Sequence, residues 1–237
     1  MKYRSAILLV ALVILIDQII KVYVKTHFYY GEEVLMAGKW ARLHFLENEG
    51  MAFGLKLSEG SIGKTILTLF RLVAVIVGFG LLWRLCKRQY STGMVVCGAL
   101  ILAGAAGNLI DSMFYGLIFS ESSFHLARFV PFGTGYAPFL HGRVVDMFYF
   151  PMVDTKLPTW LPFVGGNRFS FFEPVFNFAD AAISVGVLTL VVFQKRLLRK
   201  NDSVQETLAV DHSTTDQPAA EVHSVTSVEE AHVAPKG

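Results

Sequence analysis

Asp146 and Asp180 each close a short polar island, Gly142-Arg143-Val144-Val145-Asp146 and Asn177-Phe178-Ala179-Asp180, in a chain otherwise built to sit in lipid. A carboxylate at the centre of a membrane helix costs about 2.5–3.5 kcal/mol on insertion scales, so it needs a partner or a job. Two of them on one side of a membrane suggest an acid/base couple. Three more polar clusters stand at membrane depth: Asp17, Gln18 and Lys21; Asn48 with Gly50; and Asn108 with Asp111.

The elements that must position these groups are hydrophobic helices. The chain has 237 residues, 53% hydrophobic and 17% charged, with a mean hydropathy of +0.48. That is too apolar for an ordinary soluble domain. A bilayer span needs about 20 mostly apolar residues, and four segments qualify, at about 5–24, 62–85, 93–115 and 175–193. The expectation is an all-α membrane protein, one integral domain over 1–200 with four transmembrane helices.

The net charge of +2 says less than its placement. Lys2 and Arg4 precede the first span, Arg84, Lys87 and Arg88 fill the link after the second, and Lys195, Arg196, Arg199 and Lys200 follow the fourth. Short basic segments mark the cytoplasmic side. Both termini are therefore expected inside, with 25–61 and 116–174 on the external side. The basic residues hug helix ends instead of forming a patch, which argues against nucleic acid. The basic, apolar start resembles a signal peptide, but Asp17-Gln18 interrupts it where a cleavage site should approach, so a retained anchor is expected. Cys86 and Cys97 lie near the reducing side, so neither a disulfide nor a metal site is expected.

Trp40 to Leu46 alternates like a strand with one greasy face, and Glu47-Asn48-Glu49-Gly50 turns the chain before Met51-Ala52-Phe53-Gly54 returns it. A small external β-element is expected there. Ala99, Ala103 and Gly107 put small side chains on one stripe of the third helix, for close approach of another. The long 116–174 connection carries Phe124, Phe129, Phe132, Tyr136, Phe139, Trp160 and Phe163, an aromatic content expected to lie on the membrane interface. From Asn201 the composition turns acidic and ring-poor, and 201–237 reads as a disordered cytoplasmic tail.

On this topology all five polar clusters fall on the external side. Asn108/Asp111 and Asn177/Asp180 are i, i+3 pairs, so each pair projects from one helical face. Each cluster also has an ordinary structural reading. Asp17 and Lys21 could pair along their helix, Asn108 and Asp111 could bond across helices, and Asn48 could serve a turn. Asp180 could be a first-turn acid favoured by the helix dipole, and Asp146 a surface acid. Their convergence on one side favours function.

Five blocks carry a resemblance: Asp17-Gln18-Ile19-Ile20-Lys21, Asn48-Glu49-Gly50-Met51-Ala52-Phe53, Gly104 to Asp111, Val144-Val145-Asp146-Met147-Phe148 and Pro174 to Asp180. In that order, on four helices, they resemble bacterial lipoprotein signal peptidase, signal peptidase II. The resemblance implies a membrane aspartic endopeptidase that removes signal peptides from prolipoproteins, cutting before a cysteine that carries diacylglycerol. It implies Asp146 and Asp180 as the catalytic dyad. Asp17, Lys21, Asn48, Gly50, Asn108, Asp111 and Asn177 would bind substrate or stabilise the site. It further implies a periplasmic β-cradle and mobile helix at roughly 28–58, membrane lipid as surroundings, and inhibition by globomycin-type cyclic peptides; the extended periplasmic loop at 116–174 and the tail are long for the family. No cofactor, metal or nucleic acid is implied, and a monomer in the inner membrane is expected. A further departure is Ser112, which occupies the position where the family usually has arginine; Arg143, three residues before Asp146, is the candidate substitute.

In such a dyad two carboxylates about 3 Å apart cannot both ionise cheaply, so they share a proton. A proton-coupled transporter using the same acids is the alternative, against which the lack of an obvious inverted repeat counts. A non-catalytic assembly factor leaves the clustered acids unexplained, and the signature motifs of presenilin-like proteases are absent.

Overall fold

The computed structural model describes residues 1–38, 40–49, 61–151, 153–156, 158–160, 166, 168–171 and 174–197. Among these, four helices are long and apolar enough to cross a membrane. They are α1 (Tyr3–His27), α2 (Ser61–Lys87), α3 (Thr92–Ile110) and α4 (Phe178–Leu197). α3 continues through a π-helical turn, Asp111–Tyr115, and one further α-turn, Gly116–Ile118. This is the multi-pass, mostly helical membrane architecture the apolar runs imply. Leu8, Phe70 and Leu188 are strongly exposed, as side chains facing lipid must be. The packed interior lies between the helices, around Val10, Val13, Leu82, Leu102, Ala103 and Ala106.

Small residues let the helices close on α3. A Cβ on Gly104 would collide with the carbonyl oxygen of Ala179, and one on Gly107 would stand 2.7 Å from Asp17 Oδ2. Gly107 belongs to the expected stripe, and Gly104 adds a second point where α4 meets α3. At the opposite end, Ser91 caps α3 by accepting from Met94 N–H and donates to the Leu197 carbonyl, fastening the last turn of α4.

The other end carries an antiparallel sheet larger than the expected hairpin. Strands β1 (Glu33–Ala37), β2 (Ala41–Asn48), β3 (Val144–Tyr149) and β6 (Val175–Phe176) lie in the order β1-β2-β3-β6. A separate ribbon pairs β4 (Val153–Lys156) with β5 (Arg168–Phe171). The reason is visible in Val144-Val145-Asp146-Met147-Phe148-Tyr149, a β-branched and aromatic run that pairs Leu46 with Asp146 and Asn48 with Val144. Phe148 pairs with Phe176 on its other side. A single residue, Asn177, then separates β6 from α4.

The long connection is more than an interfacial strip. Its 133–142 segment runs back along the end of α3: Gly133, Tyr136, Ala137 and Gly142 donate backbone N–H groups to Leu117, Phe119, Gly116 and Ser112 carbonyls. A helix end leaves its last carbonyls unpaired, and irregular backbone at membrane depth persists only where protein covers it. Here each solves the other's problem. Phe124, Phe129, Phe132, Phe139 and Trp160 are exposed as expected, while Tyr136 turns inward. Phe163, the Met51–Gly54 return and the 201–237 tail lie outside the described residues.

Gly104→Leu should therefore lower stability by about 1–3 kcal/mol through overpacking, and shift α4 with its first-turn acid. Thermal unfolding in detergent micelles reads the loss.

Candidate active site

The site begins with a buried ion cluster. Asp17 and Lys21 share one face of α1, and their ion pair spans 2.9 Å. The same ammonium reaches Asp111 Oδ2 at 2.8 Å and donates to Asn108 Oδ1 at 2.7 Å, so the intrahelical and the interhelical readings both hold. Lys21 and Asp111 are 0% exposed and Asp17 1%. Gln18 Nε2 donates to Asp111 Oδ1 at 2.8 Å, and the Tyr115 hydroxyl donates to Gln18 Oε1. Buried carboxylates without such donors would cost several kcal/mol each.

This cluster also holds the backbone on either side of it. Asp17 Oδ1 accepts from Ala179 N–H at 2.9 Å, in the first turn of α4 where a negative charge suits the helix dipole. Asp111 Oδ2 accepts from Val145 N–H, the residue before Asp146. The π-turn that begins at Asp111 fits the tendency of such turns to mark functional sites.

Asp146 and Asp180 meet through Asn177. The Asn177 Oδ1 accepts from Asp180 N–H at 2.9 Å, and Asp180 Oδ2 accepts in return from Asn177 N–H at 3.3 Å. That reciprocal pair is a capping box, so Asp180 does serve the helix start. The remaining Asn177 group, Nδ2, donates to Asp146 Oδ1 at 2.7 Å. Asn108 Nδ2 donates to Asp180 Oδ1 at 2.7 Å, and Asn48, at the end of β2, donates to Asp146 Oδ2 at 3.3 Å. Asp146 is 4% exposed, no surface acid, whereas Asp180 is half-buried. Burial, followed by the charge of Asp180, pushes the Asp146 carboxyl up to about 7, against the opposing pull of Asn177, Asn48 and Lys21. The arrangement can hold one proton between two acids and present it to a polar substrate.

Of the residues singled out from sequence, Asp17, Lys21, Asn108, Asp111, Asn177, Asp146, Asp180 and Asn48 form one connected network. Gly50 lies outside the described residues. Among the described residues Arg143, the candidate substitute for the missing arginine, bonds neither Asp111 nor Ser112. Its guanidinium pairs with Glu47 at 3.0 Å and Glu121 at 2.7 Å, and lies over the Tyr136 ring. Burial opposes the Arg143 charge, yet the two glutamates outweigh it and hold its pKa above the usual arginine value. Lys25 joins the same cluster through Glu47 and Ser122. The Ser112 hydroxyl instead accepts from Arg71 Nη1 at 3.1 Å. Sequence reading passed over Arg71, although an arginine inside the 62–85 apolar run was a signal in plain view. Among the described residues no cluster of His, Cys, Asp and Glu fits a metal ion.

Comparison with known proteins agrees with this architecture. Residues 9–195 match the family model described as signal peptidase (SPase) II. A lipoprotein signal peptidase of Porphyromonas gingivalis is 48% identical over 189 residues, covering 79% of this chain and 81% of the relative. One from Amoebophilus asiaticus is 36% identical over 188 residues, covering 78% and 75%. A solved structure described as a bacterial membrane enzyme, obtained by the in meso method at 2.3 Å resolution, shares the fold. It has a TM-score of 0.50 and 22% identity, and the match covers 92% of this chain and 94% of that one.

The ion cluster makes a direct prediction. Lys21→Met strands two buried carboxylates and should cost about 3–5 kcal/mol. Adding Asp111→Asn should recover part of that loss, as measured by chemical denaturation in detergent.

Proposed function

This chain belongs to the signal peptidase II family, and we propose that it cleaves prolipoprotein signal peptides as an aspartic endopeptidase, with Asp146 and Asp180 as the reacting pair. The observation that carries the reading is Asn177, which bonds both acids at once through its side chain and backbone. Family membership leaves the transporter alternative without support.

The roles follow from the surroundings of each acid. Asp146, buried and pushed up to about 7 by desolvation and by its neighbour's charge, is the protonated member near neutral pH. Asp180 sits at a helix N-terminus and accepts from Asn108 and from backbone N–H, an environment that suits a carboxylate. Asp180 takes a proton from a water as that water attacks the carbonyl carbon before the lipidated cysteine. Asp146 gives its proton to the carbonyl oxygen. Collapse of the tetrahedral adduct then breaks the C–N bond: Asp180 gives its proton to the leaving amine, a hydroxyl of the adduct returns its proton to Asp146 as the carbonyl re-forms, and the dyad regains its single shared proton. Apparent titrations belong to the pair, not to either residue alone.

The substrate is a prolipoprotein whose signal-peptide helix and cysteine-borne diacylglyceryl chains stay in lipid while the scissile segment between them reaches the acids. The basic helix ends support both termini being cytoplasmic and the site facing the periplasm of a bacterial inner membrane. A globomycin-type cyclic peptide would compete for the same site.

Mass spectrometry of a diacylglyceryl-modified precursor incubated with purified protein tests the reading. Asp146→Asn and Asp180→Asn should each reduce turnover by about 10²–10⁴-fold or more, while each protein still folds and binds a globomycin-type inhibitor. Wild-type rates in either variant would remove the dyad assignment. Turnover should also fall as pH rises through about 7, where Asp146 loses its proton. A rate that keeps climbing above that pH would exclude Asp146 as the acid.

A further inference from the structure

Arg71 lies ten residues into α2, roughly 15 Å along its axis, inside an apolar span. An arginine that merely escaped lipid would extend along the helix toward the interface. Arg71 instead turns across to α3, where Nη1 donates to Ser112 Oγ, and Ser112 is itself buried and bonded to the Asn108 carbonyl. Asp180, Asp111 and Asp146 are the acids whose charge reaches its guanidinium. Lys21 on α1 is already committed to Asp17 and Asp111. Above Arg71 on the same helix, Thr68 donates to the Leu140 carbonyl and Thr65 bonds His141, so the polar side of α2 faces the returning 140–142 segment, whose Gly142 N–H bonds the Ser112 carbonyl.

We propose that Arg71 is a positioning residue for the reacting acids, supplying from α2 a positive charge that sets the pH range over which the pair is singly ionised. It does so from the space that side chain 112 faces on α3. The assignment rests on Asp146 and Asp180 being the reacting pair. A cation close to a carboxylate favours its charged form, so without Arg71 both titrations of the pair move upward. The charged groups nearest the pair are then Lys21 from α1, which acts on Asp146, with Asp17 and Asp111 paired to it.

The geometry makes the charge transferable. An arginine at position 112 would start from α3 and fill the volume that the Arg71 guanidinium now occupies, provided residue 71 is small. The test is the pH dependence of precursor cleavage by the purified full-length chain in detergent, with thermal unfolding measured alongside. Arg71→Gln should lower kcat by about 10²-fold and move the whole pH bell upward by about one unit. Arg71→Lys, which keeps the charge, should leave the bell in place. The exchange variant, Arg71→Ser with Ser112→Arg, should restore both rate and bell. A folded Arg71→Gln protein with the wild-type profile overturns the assignment, as does an exchange variant that recovers neither. If Asp146→Asn or Asp180→Asn cleaves normally, the dyad reading itself fails and takes this assignment with it. Loss confined to the Arg71 variants' profile, with both Asp→Asn proteins silent, supports it.

Discussion

One buried ammonium organises the external end of this molecule. Lys21 sits at the point where α1, α3 and the start of α4 converge, with two carboxylates and an amide oxygen around it. Desolvating three ionic groups is expensive, and only near-complete pairing offsets it. That requirement fixes the spacing of the helices more sharply than apolar packing alone, because every carboxylate oxygen in the cluster must face a donor. From there the hydrogen bonds run outward: Asp17 to the first turn of α4, Asp111 to the backbone of β3, Asn108 to Asp180.

The acids are thus held from two secondary-structure types that meet at one asparagine. Asp146 rides on a strand buried along most of its length, and Asp180 on the first turn of a helix. Because β6 passes into α4 with only Asn177 between, the sheet and the helix cannot move independently at this point. The same side chain closes the helix cap and grips Asp146. A structural role and a chemical role coincide there.

How much of this was legible in the sequence depends on the range of the interaction. The four helices were written in long apolar runs, and the polar islands within them marked the network, since lipid leaves such residues few other uses. The alternation of residues 40–46 showed β2. What pairing at a distance decides was hidden: nothing local says that β3 zips onto β2 or that β6 completes the sheet. Arg143 was singled out by its sequence closeness to Asp146; it lies just before β3 and meets Glu47 and Glu121, partners no local pattern announces. Arg71 was the reverse case, distant in sequence but adjacent in space. The signal peptidase II resemblance identified the family without revealing which helix holds that cation.

The stretch following α3 is closed on itself before it turns back. Ser120 N–H bonds the Arg128 carbonyl, Val130 N–H bonds Ile118, and Phe119 bridges Phe129, so Phe124, 85% exposed, crowns a ring whose base is already tied. Whatever is spliced into that crown hangs from a sealed neck. An epitope or fluorophore carried at Phe124 itself would leave that backbone pairing in place, giving a handle on the detergent-solubilised protein.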